Sequence, residues 1–250
     1  MKRNVVLAVM ARLAASLFAL MLLAIAPAMA GDRAQLDIIG YSPDGHYFAF
    51  EEYGVHDGSG ANYSHIYVVD LPADKWVYGV PFSVEEDPNS EQMPALALTR
   101  AKALAKAQDK LAPLDISTPA EILALLGDGV PNADGKMMVY ADTLCCSPGA
   151  TGDAHFTLSL STFPAKLDED YCADMDSVGY ALSVSDGGVP ISLHKDGATL
   201  PKSRGCTVDY RIYAVVQPFE GNAPRVAIVA SYPFGFEGPD RRFLAVPITP

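Results

Sequence analysis

The run Tyr41-Ser42-Pro43-Asp44-Gly45-His46-Tyr47-Phe48-Ala49-Phe50 decides the fold class. Ser-Pro-Asp-Gly is a turn signature, in which proline presets one φ and glycine accepts a positive one. The aromatic residues that follow favour a strand, and the whole segment Leu36–Asp70 has the same β character. His56-Asp57-Gly58-Ser59-Gly60-Ala61-Asn62 forms the next loop and leads into the strand Ile66-Tyr67-Val68-Val69-Asp70. A polar turn, Leu71-Pro72-Ala73-Asp74-Lys75, then precedes a short strand at Trp76-Val77-Tyr78. Successive short strands joined by tight turns predict an antiparallel meander.

Downstream, the composition shifts. From Met93 to Leu111 alanine and leucine dominate. At about 100° per residue, Met93, Ala97, Leu104 and Leu111 share one face and Lys102, Lys106 and Lys110 the opposite one, which predicts an amphipathic helix with a solvated lysine stripe. Thr118-Pro119-Ala120-Glu121 has the form of a helix start, continued by Ile122–Leu126 and ended by Gly127. The pattern returns to strands after Pro131, with alternation over Phe156–Leu160 and Val178–Val184 and a turn at Ser185-Asp186-Gly187-Gly188. Ile191–His194, Tyr210–Val216, Val226–Ser231 and Phe243–Val246 are further candidate strands. The fold class expected is therefore mainly β (α+β): an antiparallel sheet or sandwich-like domain with an insertion of two helices near 93–126.

The chain has 250 residues, and Met1–Ala30 reads as an export signal. Lys2 and Arg3 give the charged start, Leu13–Ala26 the apolar stretch, and Pro27-Ala28-Met29-Ala30 the small residues of a cleavage site. An uncleaved anchor is the rival reading. With cleavage, residues 31–250 form a single exported domain with no further membrane span. The formal net charge of −12 becomes −15 once Lys2, Arg3 and Arg12 leave with the signal. That charge argues against nucleic acid as a partner, because its binding needs a positive footprint. Half the residues are hydrophobic, enough to bury a sizeable core.

Cys145, Cys146, Cys172 and Cys206 are an even set in an exported chain, which predicts disulfides. A bond between the neighbours Cys145 and Cys146 would strain the intervening peptide, so the pairings preferred join that pair to Cys172 and Cys206, in an order left open. The spacings fit no zinc pattern.

Two resemblances attach to these residues. The stretch from Tyr41-Ser42-Pro43-Asp44-Gly45 to Ile66-Tyr67-Val68-Val69-Asp70 is similar to one blade of the TolB-type (WD40-like) β-propellers, but no second Ser-Pro-Asp-Gly follows to build the repeated blades a propeller needs. Gly40–Gly45, Phe48-Ala49-Phe50-Glu51, Tyr53-Gly54, Asp57-Gly58-Ser59-Gly60, Leu200–Cys206 and Phe236–Phe243 resemble the secreted bacterial family catalogued as domain of unknown function 2259. The likeness covers essentially the whole exported part. It implies export and carries no activity. Ala61-Asn62-Tyr63 departs from the aromatic-proline-tyrosine expected there.

His46, Glu51, Glu52, His56, Asp57, Asn62 and His65 form the densest polar cluster. Imidazole and carboxylate together suit a divalent metal, yet the histidine spacings match no metal signature, and Glu51 and Glu52 must point to opposite faces of a strand. Asp57-Gly58-Ser59-Gly60 lacks the alternating acids of a calcium loop and the lysine of a phosphate loop. No Gly-x-Ser-x-Gly nucleophile turn is present. The binding candidates are Glu51, His56, Asp57, Ser59, Asn62 and His65, with no metal, no cofactor and no assignable catalytic residue. Asp240-Arg241-Arg242 reads as surface ion pairs or an anchor for the last strand. The function favoured is a non-enzymatic binding or accessory module for an envelope protein or cell-envelope component. The alternatives are a small hydrolase or metal-dependent enzyme built on residues 46–65, and a structural envelope protein.

Overall fold

The structure is a computed structural model, and it describes residues 31–77, 79–128, 134–141, 155–167, 170–172, 175–219 and 224–248. In chain order, β1 (Gln35–Tyr41), β2 (Tyr47–Val55), β3 (Asn62–Asp70), β4 (Lys75–Trp76) and β5 (Phe82–Glu85) precede one helix, α1 (Leu96–Leu111). There follow β6 (Ala120–Leu125), β7 (Met137–Ala141), β8 (His155–Pro164), β9 (Lys166–Leu167), β10 (Val178–Ser185), β11 (Ile191–Lys195) and β12 (Thr199–Leu200). Three long strands close the chain: β13 (Thr207–Pro218), β14 (Arg225–Pro233) and β15 (Arg242–Ile248).

The expected meander is present. β1, β2, β3 and β4 are neighbours in that order, and β5 also pairs with β3. The turn between β1 and β2 forms as its sequence dictates. Ser42 Oγ donates to Asp44 Oδ1 at 2.5 Å and accepts the Tyr47 N–H at 2.9 Å, and Gly45 supplies a φ of 70°. A second sheet has the order β15-β14-β13-β6, and a third the order β11-β10-β8-β7.

These elements stack in four layers. Phe48, Phe50, Tyr63, Tyr67 and Val69 of the first sheet pack on Val216, Val226, Ile228, Ala230 and Phe243 of the second. The other face of the second sheet, through Tyr210, Ile212, Val229 and Val246, packs on Leu158, Tyr180 and Leu182 of the third. The outer face of the first sheet, through Ala49, Ile66 and Val68, carries α1 on Ala103, Ala107 and Leu111. The second sheet is thus covered on both faces, and β14 reads as an unbroken apolar run where a half-exposed strand would alternate. Val226, Ala227, Ile228 and Val229 have no exposed surface.

The two-helix insertion is corrected to one helix. Ala120–Leu125 is a strand, antiparallel to β13. Its backbone groups are used in the sheet: Leu126 N–H donates to Tyr213 O, Phe219 N–H to Pro119 O, and Thr118 exchanges bonds with Tyr41 in an isolated bridge. A six-residue helix would gain few internal bonds for its nucleation cost. The strand gains a ladder and lays Leu123 and Ala124 against the core. The Thr-Pro-x-Glu signal was therefore overridden by tertiary pairing.

The helix face also differs from expectation. Thr99, Ala103, Ala107 and Leu111 are buried, a spacing of four, whereas Leu104 is 46% exposed. Small residues allow α1 to lie close on a flat sheet, so leucine content mispoints the face. Lys102 and Lys106 reach back to Glu86 and to Ser83 O, and so are not a purely solvated stripe.

The preferred disulfide pairings are also overturned. Cys172 bonds to Cys206 with a Cα–Cα distance of 5.5 Å, so neither is available to Cys145 or Cys146, which lie outside the described residues. The bond sits in a small apolar cluster with Ala165, Leu167 and Leu200, where β9 and β12 meet the start of β13. Local peptide strain at the neighbouring pair said nothing about this tertiary proximity.

The bond closes a sequence separation of 34 residues. Replacing Cys172 and Cys206 together by alanine should lower the unfolding free energy by about 4 kcal/mol, from the chain-entropy cost of such a loop. Denaturant titration checks this, and a peptide map should recover a linked Cys172–Cys206 fragment.

Candidate functional site

Strand alternation divides the sequence-derived candidates between two faces of the first sheet. Glu51 and Ser64 face α1, where Ser64 Oγ donates to Glu51 Oε1 at 2.8 Å. Arg100 from the helix donates to Glu51 through Nε at 3.0 Å and Nη2 at 2.6 Å, and its guanidinium lies 3.8 Å from the Tyr53 ring centroid. Asn62 Nδ2 donates to Pro94 O at 2.6 Å, just ahead of the helix. These two candidates therefore fasten α1 to the sheet.

Glu52, His56 and His65 belong to a second group, on the face toward the central sheet. His56 follows directly on β2, and His65 lies within β3 opposite Glu52. Glu85, from β5, accepts from both imidazoles: His56 Nε2 and His65 Nε2 each lie 2.8 Å from one of its oxygens. The other nitrogen of His56 lies 2.5 Å from Asp32 Oδ2, and the other nitrogen of His65 lies 3.6 Å from Glu52 Oε1. The latter is an ion pair without a hydrogen bond. Tyr63 stacks on His56 with ring centroids 4.5 Å apart, and its hydroxyl accepts from Arg242 at 2.7 Å. Glu52 Oε2 accepts the Phe243 N–H at 2.8 Å, joining the cluster to β15. Asp32–His56–Glu85–His65–Glu52 is a continuous chain of alternating carboxylate and imidazole.

Asp57 and Ser59 enter only through the backbone turn. The Asp57 N–H donates to Asp32 Oδ1 at 2.6 Å, and Ser59 Oγ accepts the Ala61 N–H at 3.3 Å. His46 stays apart in the β1–β2 turn, its N–H donating to Asp44.

The electrostatics follow from this packing. Burial disfavours charge on His65, but Glu52 and Glu85 outweigh it and raise its pKa to about 9. The His65 hydrogen bond, aided by His56 and against partial burial, lowers Glu85 to about 2. Burial raises the Tyr63 phenol to about 12. Burial opposes ionisation of Asp32, yet the Asp57 N–H and His56 bring its pKa below the ordinary value.

A general base needs a ring nitrogen free to meet a substrate proton. Here each nitrogen of His56 and His65 faces a carboxylate, which commits both rings to the fold. The same pairing occupies the electron pairs a metal would need. Among the described residues, no group of three or more His, Cys, Asp or Glu side chains is placed to hold a metal ion.

Sequence reasoning missed Asp32, Glu85 and Arg242. The first two lie far along the chain, and only β5 pairing brings Glu85 beside His65. Arg242 was read as a surface or anchoring residue; it anchors β15 to Tyr63, and its neighbour Arg241 is 3% exposed, so the surface half of that reading fails.

The hollows on the surface lie elsewhere. Among the described residues, β1 pairs only with β2 and β6 only with β13 within the sheets, so each presents an outer edge. Between these edges lies a hollow of about 330 Å³, lined by Leu36, Ile38, Ile122, Leu125 and Tyr213. A second, of about 350 Å³, lies across β1 against Ala97, Arg100 and Leu104 of α1. Bridges close the two ends of the β1 edge, Arg33 with Arg241 and Tyr41 with Thr118, leaving 35–39 open. At the closed end Gly40 has a φ of 140°, and a Cβ there would stand 2.5 Å from Thr118 O.

Fold and surface together describe a layered β protein whose concentrated polar cluster is charge-paired within the fold, though Glu52 Oε1 makes no hydrogen bond there, and whose two larger hollows flank a strand edge. A family model described as "Predicted secreted protein (DUF2259)" matches residues 49–249, and the chain belongs to that family. No curated protein and no solved structure matches the chain. Among the described residues, no helix is long and apolar enough to cross a membrane.

Replacing His65 by glutamine tests the structural role of the cluster. A raised pKa stabilises fully below the unfolded value of 6.5 and stops doing so as pH climbs through about 9. Glu85, lowered from 4.5 to about 2, stabilises above 4.5 and loses its contribution as pH falls toward 2. The stability difference between wild type and variant should therefore be widest near pH 5–6, on the order of 2 kcal/mol, and shrink as pH rises from 6.5 to about 9 and as it falls below about 4.5. Urea titrations across that range measure it.

Proposed function

We propose that the protein is an exported, non-enzymatic binding module that takes an extended segment of an envelope polypeptide along the outer edge of β1. The observation that carries this reading is the open stretch 35–39 with an apolar hollow on each side. An unpaired edge offers backbone donors and acceptors, and alternate side chains of an added strand find pockets on either side. Ile122 is 52% exposed and Leu125 58% exposed on the facing wall, apolar surface that an occupant would cover. The acidic chain favours a partner segment in which apolar residues alternate with basic ones, since opposite charge speeds encounter.

The site moves from the loop residues to the edge, because His56, His65 and Glu51 spend their polar atoms within the fold. A binding role follows from that exhaustion as much as from the groove. Hydrolytic chemistry would need an uncommitted ring nitrogen or carboxylate facing a cleft; Glu51 lines the second hollow but accepts from Arg100 and Ser64.

A photo-crosslinking residue at position 122, and a control at exposed position 189, test the reading in exporting cells. Position 122 should give an adduct with another polypeptide, mapped to an extended segment, that disappears when Leu125 is changed to aspartate. Adducts of equal yield at 122 and 189, or adducts only with a second copy of this chain, would contradict it.

A further inference from the structure

The loop joining β14 to β15 holds large apolar side chains in water: Phe236 is 98% exposed and Phe234 53% exposed. Its backbone is tightly held. Gly238 N–H donates to Gly235 O at 3.3 Å, which makes Phe236 and Glu237 the corner of a β-turn. Asp240 N–H donates to Pro233 O at 2.8 Å, and Phe234 N–H to Cys206 O at 2.9 Å. A Cβ on Gly235 would stand 2.4 Å from Gly238 O, so the turn closes only on glycine. Cys206 is bonded in turn to Cys172, whose neighbour Tyr171 is 62% exposed. Single exposed apolar residues are ordinary, but here three aromatic rings stand on adjoining backbone pinned by a disulfide, a surface suited to an apolar partner.

The same loop receives the start of the domain. Gly31 packs against it so closely that a Cβ there would stand 2.5 Å from Pro239 O and 2.7 Å from Gly238 O. Asp32 N–H donates to Asp240 Oδ1 at 2.9 Å, and Arg241 N–H to Asp32 O at 2.7 Å. Chain continuity then limits what lies near the loop. The uncharged apolar stretch Leu13–Ala26 is joined to Gly31 through Pro27–Ala30, a link that spans at most about 17 Å when fully extended. With that stretch in a bilayer, Gly31 and the loop packed on it stay within that distance of the hydrocarbon, whose headgroup layer is itself roughly 5–8 Å deep. Arg33, next in the chain, is exposed, lies over the Tyr232 ring at 6.0 Å and pairs with no carboxylate among the described residues. Glu237 is the exposed acid of the turn.

We infer that Tyr171, Phe234 and Phe236 seat the folded domain on a zwitterionic phospholipid surface while residues 1–30 remain attached. The rings enter the boundary between headgroups and acyl chains, Arg33 reaches the phosphate layer, and Glu237 meets the ammonium groups of the lipid. Zwitterionic lipid suits a chain of formal charge −12 better than an anionic surface does. Three rings alone bind weakly and reversibly, and a second attachment makes such binding stable. The leader supplies it by holding the loop at high effective concentration beside the membrane. The bilayer is also the one apolar phase that the tether guarantees within reach, which favours lipid over a protein partner. Once the leader is cut, the domain can leave the surface. This surface is separate from the β1 edge, and either assignment can fail without the other.

The full chain, made without signal peptidase so that the leader stays attached, is reconstituted into phosphatidylcholine vesicles brominated in the acyl chains near the headgroups. Phe236→Trp places a reporter in the loop, and Val189→Trp a control in the β10–β11 turn, where Val189 is 87% exposed. Wild type, with Trp76 as its single tryptophan, gives the background. Bromolipid should quench the reporter at 236 by about half or more, and the one at 189 no more than the background. A reporter introduced by Tyr171→Trp should also be quenched, and should lose most of that quenching when Phe234 and Phe236 are both changed to serine, with circular dichroism unchanged. No quenching at 236, equal quenching at 189, or quenching at 171 that survives the double serine change would overturn the assignment. So would a reporter at 236 that lipid leaves unaffected and that only added envelope protein shields from iodide, since the occupant would then be a protein.

Discussion

Burial of the β13–β14–β15 core on both faces is the constraint on which the rest of the structure depends. A sheet covered twice must draw apolar surface from two other sheets, and here the first and third sheets supply it. Val226 to Val229 alternate between the two interfaces: Val226 and Ile228 join one cluster, Ala227 and Val229 the other. The consequence for the outer layers is geometric. The first sheet must lie flat on its neighbour, so its β1 edge runs past the β6 edge without merging, and a hollow remains between them.

The His–carboxylate chain follows from the same stacking. Glu52 and His65 point into the interface between sheets, where an unpaired charge would be expensive. Glu85 accepts from His65, the Phe243 N–H donates to one Glu52 oxygen, and Arg242 pairs with the other without a hydrogen bond, so the cluster ties the hairpin to the last strand at the rim of the core. On the opposite face, Glu51 and Arg100 do the equivalent for α1. Both groups spend their polar atoms on cohesion. The β1 edge, by contrast, presents backbone groups beside a hollow.

Much of the fold was legible because it is local. Ser42-Pro43-Asp44-Gly45 and the strands on either side carry their own turn chemistry and alternation, and Glu51 and Glu52 diverge as period-two geometry requires. What sequence could not supply was pairing at long range. Thr118-Pro119-Ala120-Glu121 looks helical by itself and is a strand because β13 offers it a ladder. The unbroken apolar run of β14 was a readable sign of a doubly covered sheet, but nothing nearby says which sheets cover it. The site was less legible still. His56 and His65 stand out in sequence, yet their meaning lies in Asp32 and Glu85, which arrive through tertiary contacts. Cys172 and Cys206 were identified as bonded residues, but their partner choice depends on how β9, β12 and β13 converge.

Native-state hydrogen exchange tests the central claim, a protected central sheet beside an open strand edge. The account requires the β14 amides to exchange only on global unfolding, and those amides of 35–39 that point away from β2 to exchange orders of magnitude faster. Uniform protection of 35–39 at the level of β2 would show that this edge is already covered, and would contradict the account.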